Sequence, residues 1–187
     1  NGLNSLKKPN KNIYLGNSGT SARLLTGLLC SQNFNTILTG DKSLSSRPMK
    51  RISDPLAKLN AKIVTNNGAM PIEIIGGELT GSNIEIEIPS AQIKSGIILA
   101  SLNAQGTTNI VEHNITRNHT EIMLESFNAD IECFKDNNKK HIRINGKKEL
   151  FSKNIYVPSD LSSSAFFIVA ALINQKSKIF LQDININ

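Results

Sequence analysis

The chain has 187 residues, 39% apolar and 19% charged, which is too apolar for a disordered chain and not repetitive enough for a fibrous one. Its formal net charge of +6 favours anionic partners, but with seven Phe, two Tyr and no Trp a base-stacking surface is hard to build. Small phosphorylated molecules are therefore expected rather than nucleic acid.

The longest apolar run, Ala165–Ile173, is about half of what crossing a bilayer takes, so no membrane partner is expected. Asn1-Gly2-Leu3-Asn4 is neither a signal peptide nor an initiator methionine, and the chain reads as a piece of something longer. Cys30 and Cys133 fall in apolar settings without CxxC spacing. They read as reduced core cysteines of a cytoplasmic protein, with no metal and no cofactor expected.

In chain order, Asn12–Gly16 is a short strand leading into Ser18-Gly19-Thr20-Ser21 and an apolar helix. Thr36–Leu38 is the next strand, followed by a polar turn and a helix that ends at Asn60-Ala61. Pro71–Ile75 and Asn83–Ile88 read as strands with a Gly76-Gly77 turn between them. The pattern then repeats. Glu85–Pro89 leads into Ser90-Ala91-Gln92 and an apolar helix, Asn109–Val111 is a strand, and a second helix ends at Asn128-Ala129. His141–Ile144 and Asn154–Val157 supply two more strands, and Ser162-Ser163-Ser164 opens a third apolar helix before a strand over Lys178–Leu181. The strand ends Leu15, Ile88 and Val157 are spaced by 73 and 69 residues. The unit is strand, helix, strand, helix, then one or two strands, which predicts an α/β fold of repeats of about 70 residues.

Arginine is rare, five residues against 16 Lys, so its use points to planar bidentate recognition of an anion. Arg23, Arg47 and Arg117 lie in segments with helix-start signals. The Gly-rich turn through Gly19 would offer backbone N–H groups and a helix dipole to an anion, or would simply be a capped helix. It is neither a Walker A loop nor a GxGxxG fingerprint. Pro48 fits the first turn of a helix, leaving Arg47 at the edge where strand C-termini and helix N-termini gather, unless it is a solvated loop residue. Ser90 and Gln92 could hydrogen-bond a polar ligand or cap a helix. His119 has no triad partner at a known spacing and reads as a cap or core residue. Asp160 reads as an N-cap.

Five ordered segments carry a resemblance: Leu-Gly-Asn-Ser-Gly-Thr-x-x-Arg-Leu (15–24), Gly-Asp-x-Ser-Leu-x-x-Arg-Pro-Met (40–49), Pro-Ser-Ala-Gln-Ile-Lys-Ser (89–95), Thr-Arg-Asn-His-Thr-Glu-x-Met-Leu (116–124) and Val-Pro-Ser-Asp-Leu-Ser-Ser-Ser-Ala-Phe-Phe (157–167). Together they resemble the 5-enolpyruvylshikimate-3-phosphate (EPSP) synthase family, in its bacterial class with Ser-Ala-Gln. The resemblance implies transfer of the enolpyruvyl group of phosphoenolpyruvate to the 5-hydroxyl of shikimate 3-phosphate with release of phosphate. It implies two lobes of βαβαββ units that close on the substrates, with residues 1–158 supplying most of one lobe and 159–187 the start of the other. By resemblance, Gly19, Arg47 and Gln92 face phosphoenolpyruvate, and Ser90, Ala91, Gln92 and Arg117 face shikimate 3-phosphate. The family's early Lys-Ser…Arg loop and its catalytic Asp, Glu and late Lys/Arg are absent from this sequence. A fragment that does not turn over alone is therefore expected, from an enzyme that is monomeric at full length. Glycine at position 19 implies sensitivity to glyphosate, since some tolerant relatives carry Ala there. The sister enzyme acting on UDP-N-acetylglucosamine uses a loop Cys that neither Cys30 nor Cys133 matches. A non-catalytic anion-binding domain is the other reading.

Overall fold

Two short dipeptides set the sheet geometry. Asn67-Gly68 has φ of 50° and 82°, and Asn137-Asn138 has 48° and 63°. Positive φ at both positions is what a two-residue type I′ hairpin needs, because its twist matches that of the flanking strands. Asn67-Gly68 thus joins β3 (Lys62–Asn66) to β4 (Ala69–Ile75), and Asn137-Asn138 joins β7 (Ile131–Asp136) to β8 (Lys139–Asn145). These positions come from a computed structural model that describes residues 6–187. The Asn1–Asn4 start lies outside the described residues.

The chain divides into two units, one running to Phe151 and the other spanning Ser152–Asn187. The first unit holds two copies of one plan. Copy one is β1 (Ile13–Tyr14), α1 (Gly19–Cys30), β2 (Thr36–Thr39), α2 (Lys42–Ser45), α3 (Lys50–Ala57), β3 and β4. Copy two is β5 (Asn83–Ile86), α4 (Ala91–Ser101), β6 (Thr107–Glu112), α5 (His119–Ser126), β7 and β8. The sheets have matching orders, β1-β2-β4-β3 and β5-β6-β8-β7. In each, the first pair is parallel and the other two are antiparallel. Strand alternation faces Met70, Ile72 and Ile74 of β4, and Lys140, Ile142 and Ile144 of β8, into the core.

The last helix of each copy, α3 or α5, ends in the same way. Asn60 and Asn128 take φ of 67° and 66°. The N–H of Ala61 donates to Leu56 O, and that of Ala129 to Leu124 O. This six-to-one bond closes a Schellman motif with Asn in the left-handed position. The helices α1 and α4 each rest on their own sheet and meet each other. α4 is buried on nearly every side through Ile93, Lys94, Gly96, Ile97, Ile98 and Ala100.

The second unit repeats the opening of the plan. β9 (Ser159–Asp160) and β10 (Ile184–Asn185) pair in parallel across α6 (Leu161–Ile173). Asp160 caps α6 by accepting from the N–H groups of Ser162 and Ser163 at 3.2 and 2.9 Å.

Several expectations need correction. Gly76-Gly77 is not a hairpin turn: β4 and β5 belong to different sheets, and the segment between them crosses from one copy to the next. Gly76 is required there because a Cβ would lie 2.3 Å from Gln32 O and 2.4 Å from Phe34 O. Segments 154–157 and 178–181 are not strands, because among the described residues neither pairs with a neighbour; the paired segments are β9 and β10. Pro48 stands before the Met49 N-cap of α3 rather than inside its first turn. Cys30 is a core residue, whereas Cys133 lies in β7, whose residues after Ile131 are exposed.

Candidate functional site

The N-termini of α1 and α4 lie side by side, each capped by a serine. Ser18 Oγ accepts from Ser21 N at 3.1 Å, and Ser90 Oγ from Ile93 N at 3.4 Å. Capping satisfies one of the orphan N–H groups at each end and leaves others directed outward, with the positive end of each dipole.

Side chains tie the two ends together. Arg23 Nη1 donates to Gln92 Oε1 at 2.8 Å and to Gly19 O at 3.1 Å. Gln92 Nε2 in turn donates to Thr20 Oγ1 at 2.7 Å. Arg47, on the stretch between α2 and α3, reaches the same place and donates through Nη2 to Asn17 Oδ1. A Cβ on Gly19 would sit 2.8 Å from Arg23 Nη1 and 3.0 Å from Arg47 Nη1. Two guanidinium groups therefore converge over one buried glycine. Burial first, and then the nearby charges of Arg47 and Arg51, lower the pKa of Arg23. A guanidinium stays protonated even so. Among the described residues, neither Arg23 nor Arg47 forms an ion pair. Like charges gathered at a helix N-terminus without a carboxylate form a receptor for an anion, since bidentate Arg contacts suit phosphate and carboxylate.

The structure thus brings Gly19, Arg47 and Gln92 together. Ser90 and Ala91 adjoin Gln92 at the start of α4, and both are half-buried. Arg117 is exposed on the loop between β6 and α5. Among the described residues no hydrogen bond or ion pair joins it to Arg23 or Arg47, but its loop is bonded to α4: Lys94 Nζ donates to Thr116 O at 3.4 Å, and Ser95 Oγ and Thr120 Oγ1 lie 2.7 Å apart. His119 opens α5 and is exposed.

The sequence reading left Arg23 out of the site, although its i, i+4 spacing from Gly19 puts both on one helix face. Asn17 and Thr20 were also missed, as their roles depend on contacts across 30 and 72 residues. The cluster can bind and polarise an anion. Its Arg, Gln and Ser side chains include no general acid or base for neutral pH. Among the described residues no group of His, Cys, Asp and Glu could hold a metal ion, and no helix is long and apolar enough to cross a membrane.

The fold and the cluster define an α/β protein of repeated βαβαββ units with two arginines gathered at one helix-end edge. A family model described as EPSP synthase (3-phosphoshikimate 1-carboxyvinyltransferase) matches residues 1–187, and the chain belongs to that family. It is 49% identical over 187 residues to the 3-phosphoshikimate 1-carboxyvinyltransferase of Ruthia magnifica subsp. Calyptogena magnifica, covering all of this chain and 42% of that protein. It is 44% identical over 188 residues to the enzyme of the same name from Pelobacter propionicus, covering all of this chain and 43% of that one. The solved structure of EPSP synthase from Acinetobacter baumannii superposes with a TM-score of 0.84 at 45% identity, over all of this chain and 42% of that chain. The chain thus spans less than half the length of these relatives.

Proposed function

We propose that the full-length protein transfers the enolpyruvyl group of phosphoenolpyruvate to the 5-hydroxyl of shikimate 3-phosphate and releases phosphate. Convergence of Arg23, Arg47 and Gln92 over Gly19 is the observation that carries this reading. Phosphoenolpyruvate carries a phosphate and a carboxylate on one carbon, C2, and two convergent guanidinium groups match two anionic groups. In this reading Gly19, Arg47 and Gln92 meet phosphoenolpyruvate, with Arg23 holding Gln92 in place. Ser90, Ala91, Gln92 and Arg117 meet shikimate 3-phosphate.

The chemistry follows from those placements. The 5-hydroxyl oxygen bonds to C2 of phosphoenolpyruvate while C3 gains a proton and the hydroxyl loses one, giving a tetrahedral adduct. C3 then loses a proton as the C2–O bond to phosphate breaks, leaving the enolpyruvyl ether and inorganic phosphate. The arginines hold the phosphate through both steps and stabilise it as it leaves. The proton-transfer groups come from parts of the protein outside these 187 residues. Residues 1–158 then form most of one lobe and 159–187 the start of another. This segment alone does not turn over. The whole enzyme is a cytoplasmic monomer that takes small anionic substrates and needs no cofactor.

Proton NMR of full-length protein incubated with both substrates tests this reading. Vinyl signals of a new enolpyruvyl ether are expected, and unchanged phosphoenolpyruvate would contradict the reading.

A further inference from the structure

The core of the second copy contains charge where the first has none. Lys94 is fully buried. Its Nζ lies 3.0 Å from Glu112 Oε2, 2.8 Å from Glu121 Oε1 and 3.4 Å from Thr116 O. Three acceptors match the three protons of an ammonium group. Lys140 Nζ donates to Glu121 Oε1 at 2.8 Å, so two lysines and two glutamates balance. Glu112 Oε1 accepts from Thr116 Oγ1 at 2.6 Å.

The fold does not require these charges. Both helices follow a serine cap, Ser18 or Ser90, so Lys94 of α4 corresponds to Ala22 of α1, four residues past the cap. Strands β4 and β8 are each seven residues long, and their second positions are Met70 and Lys140. Ala22 and Met70 are buried at 0% and 3% exposure. The same architecture thus closes around apolar side chains at both places. A buried ion network is weak evidence for stability, because an apolar replacement is often as stable. This network is also incompletely satisfied, since Glu121 Oε2 has no hydrogen-bond partner.

What the charges add is a fixed loop. Glu112 ends β6, Thr116 lies in the middle of the loop, and Thr120 and Glu121 open α5. Lys94 and Ser95 hold all of these from α4, within one turn of Gln92. Arg117 follows Thr116 directly. We propose that Lys94 is a positioning residue: through Glu112, Glu121 and the Thr116 carbonyl it sets the loop of Arg117 against the Ser90–Gln92 end of α4, and so fixes the half of the site that binds shikimate 3-phosphate. This rests on the functional reading above.

The test is calorimetric binding of shikimate 3-phosphate to full-length protein without phosphoenolpyruvate. The variants are Lys94→Met/Glu112→Gln, which removes a balanced pair and leaves Lys140–Glu121, then Thr116→Val, Arg117→Ala and their combinations. The wild type is expected to bind, Arg117→Ala to weaken binding, and the balanced pair to raise Kd at least tenfold. In the Arg117→Ala background the balanced pair should add less than threefold, because Lys94 acts through Arg117. A purely structural role would lower the active fraction and the urea midpoint and leave Kd unchanged. If the balanced pair does not fold, Thr116→Val decides: a threefold or greater rise in Kd at an unchanged urea midpoint supports the proposal, and an unchanged Kd overturns it. Binding weakened by Arg117→Ala but untouched by the Lys94 variants overturns this proposal alone. A wild type that does not bind overturns the functional reading with it.

Discussion

Gly27 of α1 and Gly96 of α4 meet backbone to backbone: a Cβ on Gly27 would lie 1.9 Å from the Gly96 carbonyl oxygen. The helices whose N-termini carry the site therefore cross without an intervening side chain. Their separation sets the reach of Arg23 to Gln92, since Gly96 itself faces Arg23 O, 2.7 Å from where its Cβ would be. Backbone cannot swing aside as a side chain can. Gly27→Ala should force the helices apart, cost about 1–3 kcal/mol or more and weaken binding of both substrates. Urea unfolding and calorimetry on full-length protein check this, and an unchanged midpoint would contradict it.

Gly19→Ala should behave in the opposite way. Its Cβ would meet the tips of Arg23 and Arg47, which are the ends of flexible side chains. Stability should stay within about 0.5 kcal/mol, while the KM for phosphoenolpyruvate rises roughly tenfold, a loss of about 1.4 kcal/mol. If glyphosate shares this pocket, wild-type enzyme is inhibited and Gly19→Ala is less so. Steady-state kinetics with and without glyphosate reads both effects.

The duplicated plan was legible from sequence because its signals are local. Ser18 and Ser90 announce helix starts, Asn60-Ala61 and Asn128-Ala129 announce helix ends, and the strands alternate. The hairpin at Asn67-Gly68 was also written locally but was overlooked in favour of Gly76-Gly77, whose glycine serves a close backbone approach instead of a turn. Gly19, Arg47 and Gln92 were marked by motif. Arg23 and Lys94 lie inside the same motifs but received no role there, because each acts through partners brought near only by folding: Gln92 lies 69 residues from Arg23, and Glu112 lies 18 from Lys94.

The two Schellman caps make a paired stability prediction. A residue with a Cβ costs about 1–2 kcal/mol in the left-handed region, and Asn is partly exempt. Asn60→Ala and Asn128→Ala should each destabilise by about 1 kcal/mol, while the Gly variants should be neutral or slightly stabilising. Urea midpoints of the four variants decide it, and equal effects of Ala and Gly would refute it.

Cys30 is 1% exposed, its Sγ donates to Thr26 O at 2.8 Å, and burial pushes its pKa up to about 12. The raised value keeps the thiol neutral below that pH, and at pH 8 only about one molecule in ten thousand carries the reactive thiolate. Alkylation mapped by mass spectrometry should leave the Cys30 peptide unmodified in native protein and modify it in denaturant. Native modification at pH 8 would contradict the packing of α1.

The central claim is that the arginine cluster at paired helix ends serves enolpyruvyl transfer to shikimate 3-phosphate. Phosphate release by the full-length protein tests it most directly, with phosphoenolpyruvate and either shikimate 3-phosphate or UDP-N-acetylglucosamine as acceptor. Release with shikimate 3-phosphate alone, lowered at least a hundredfold in Arg47→Ala and Arg117→Ala, is the expected result. Release with UDP-N-acetylglucosamine, or with neither acceptor, would contradict it.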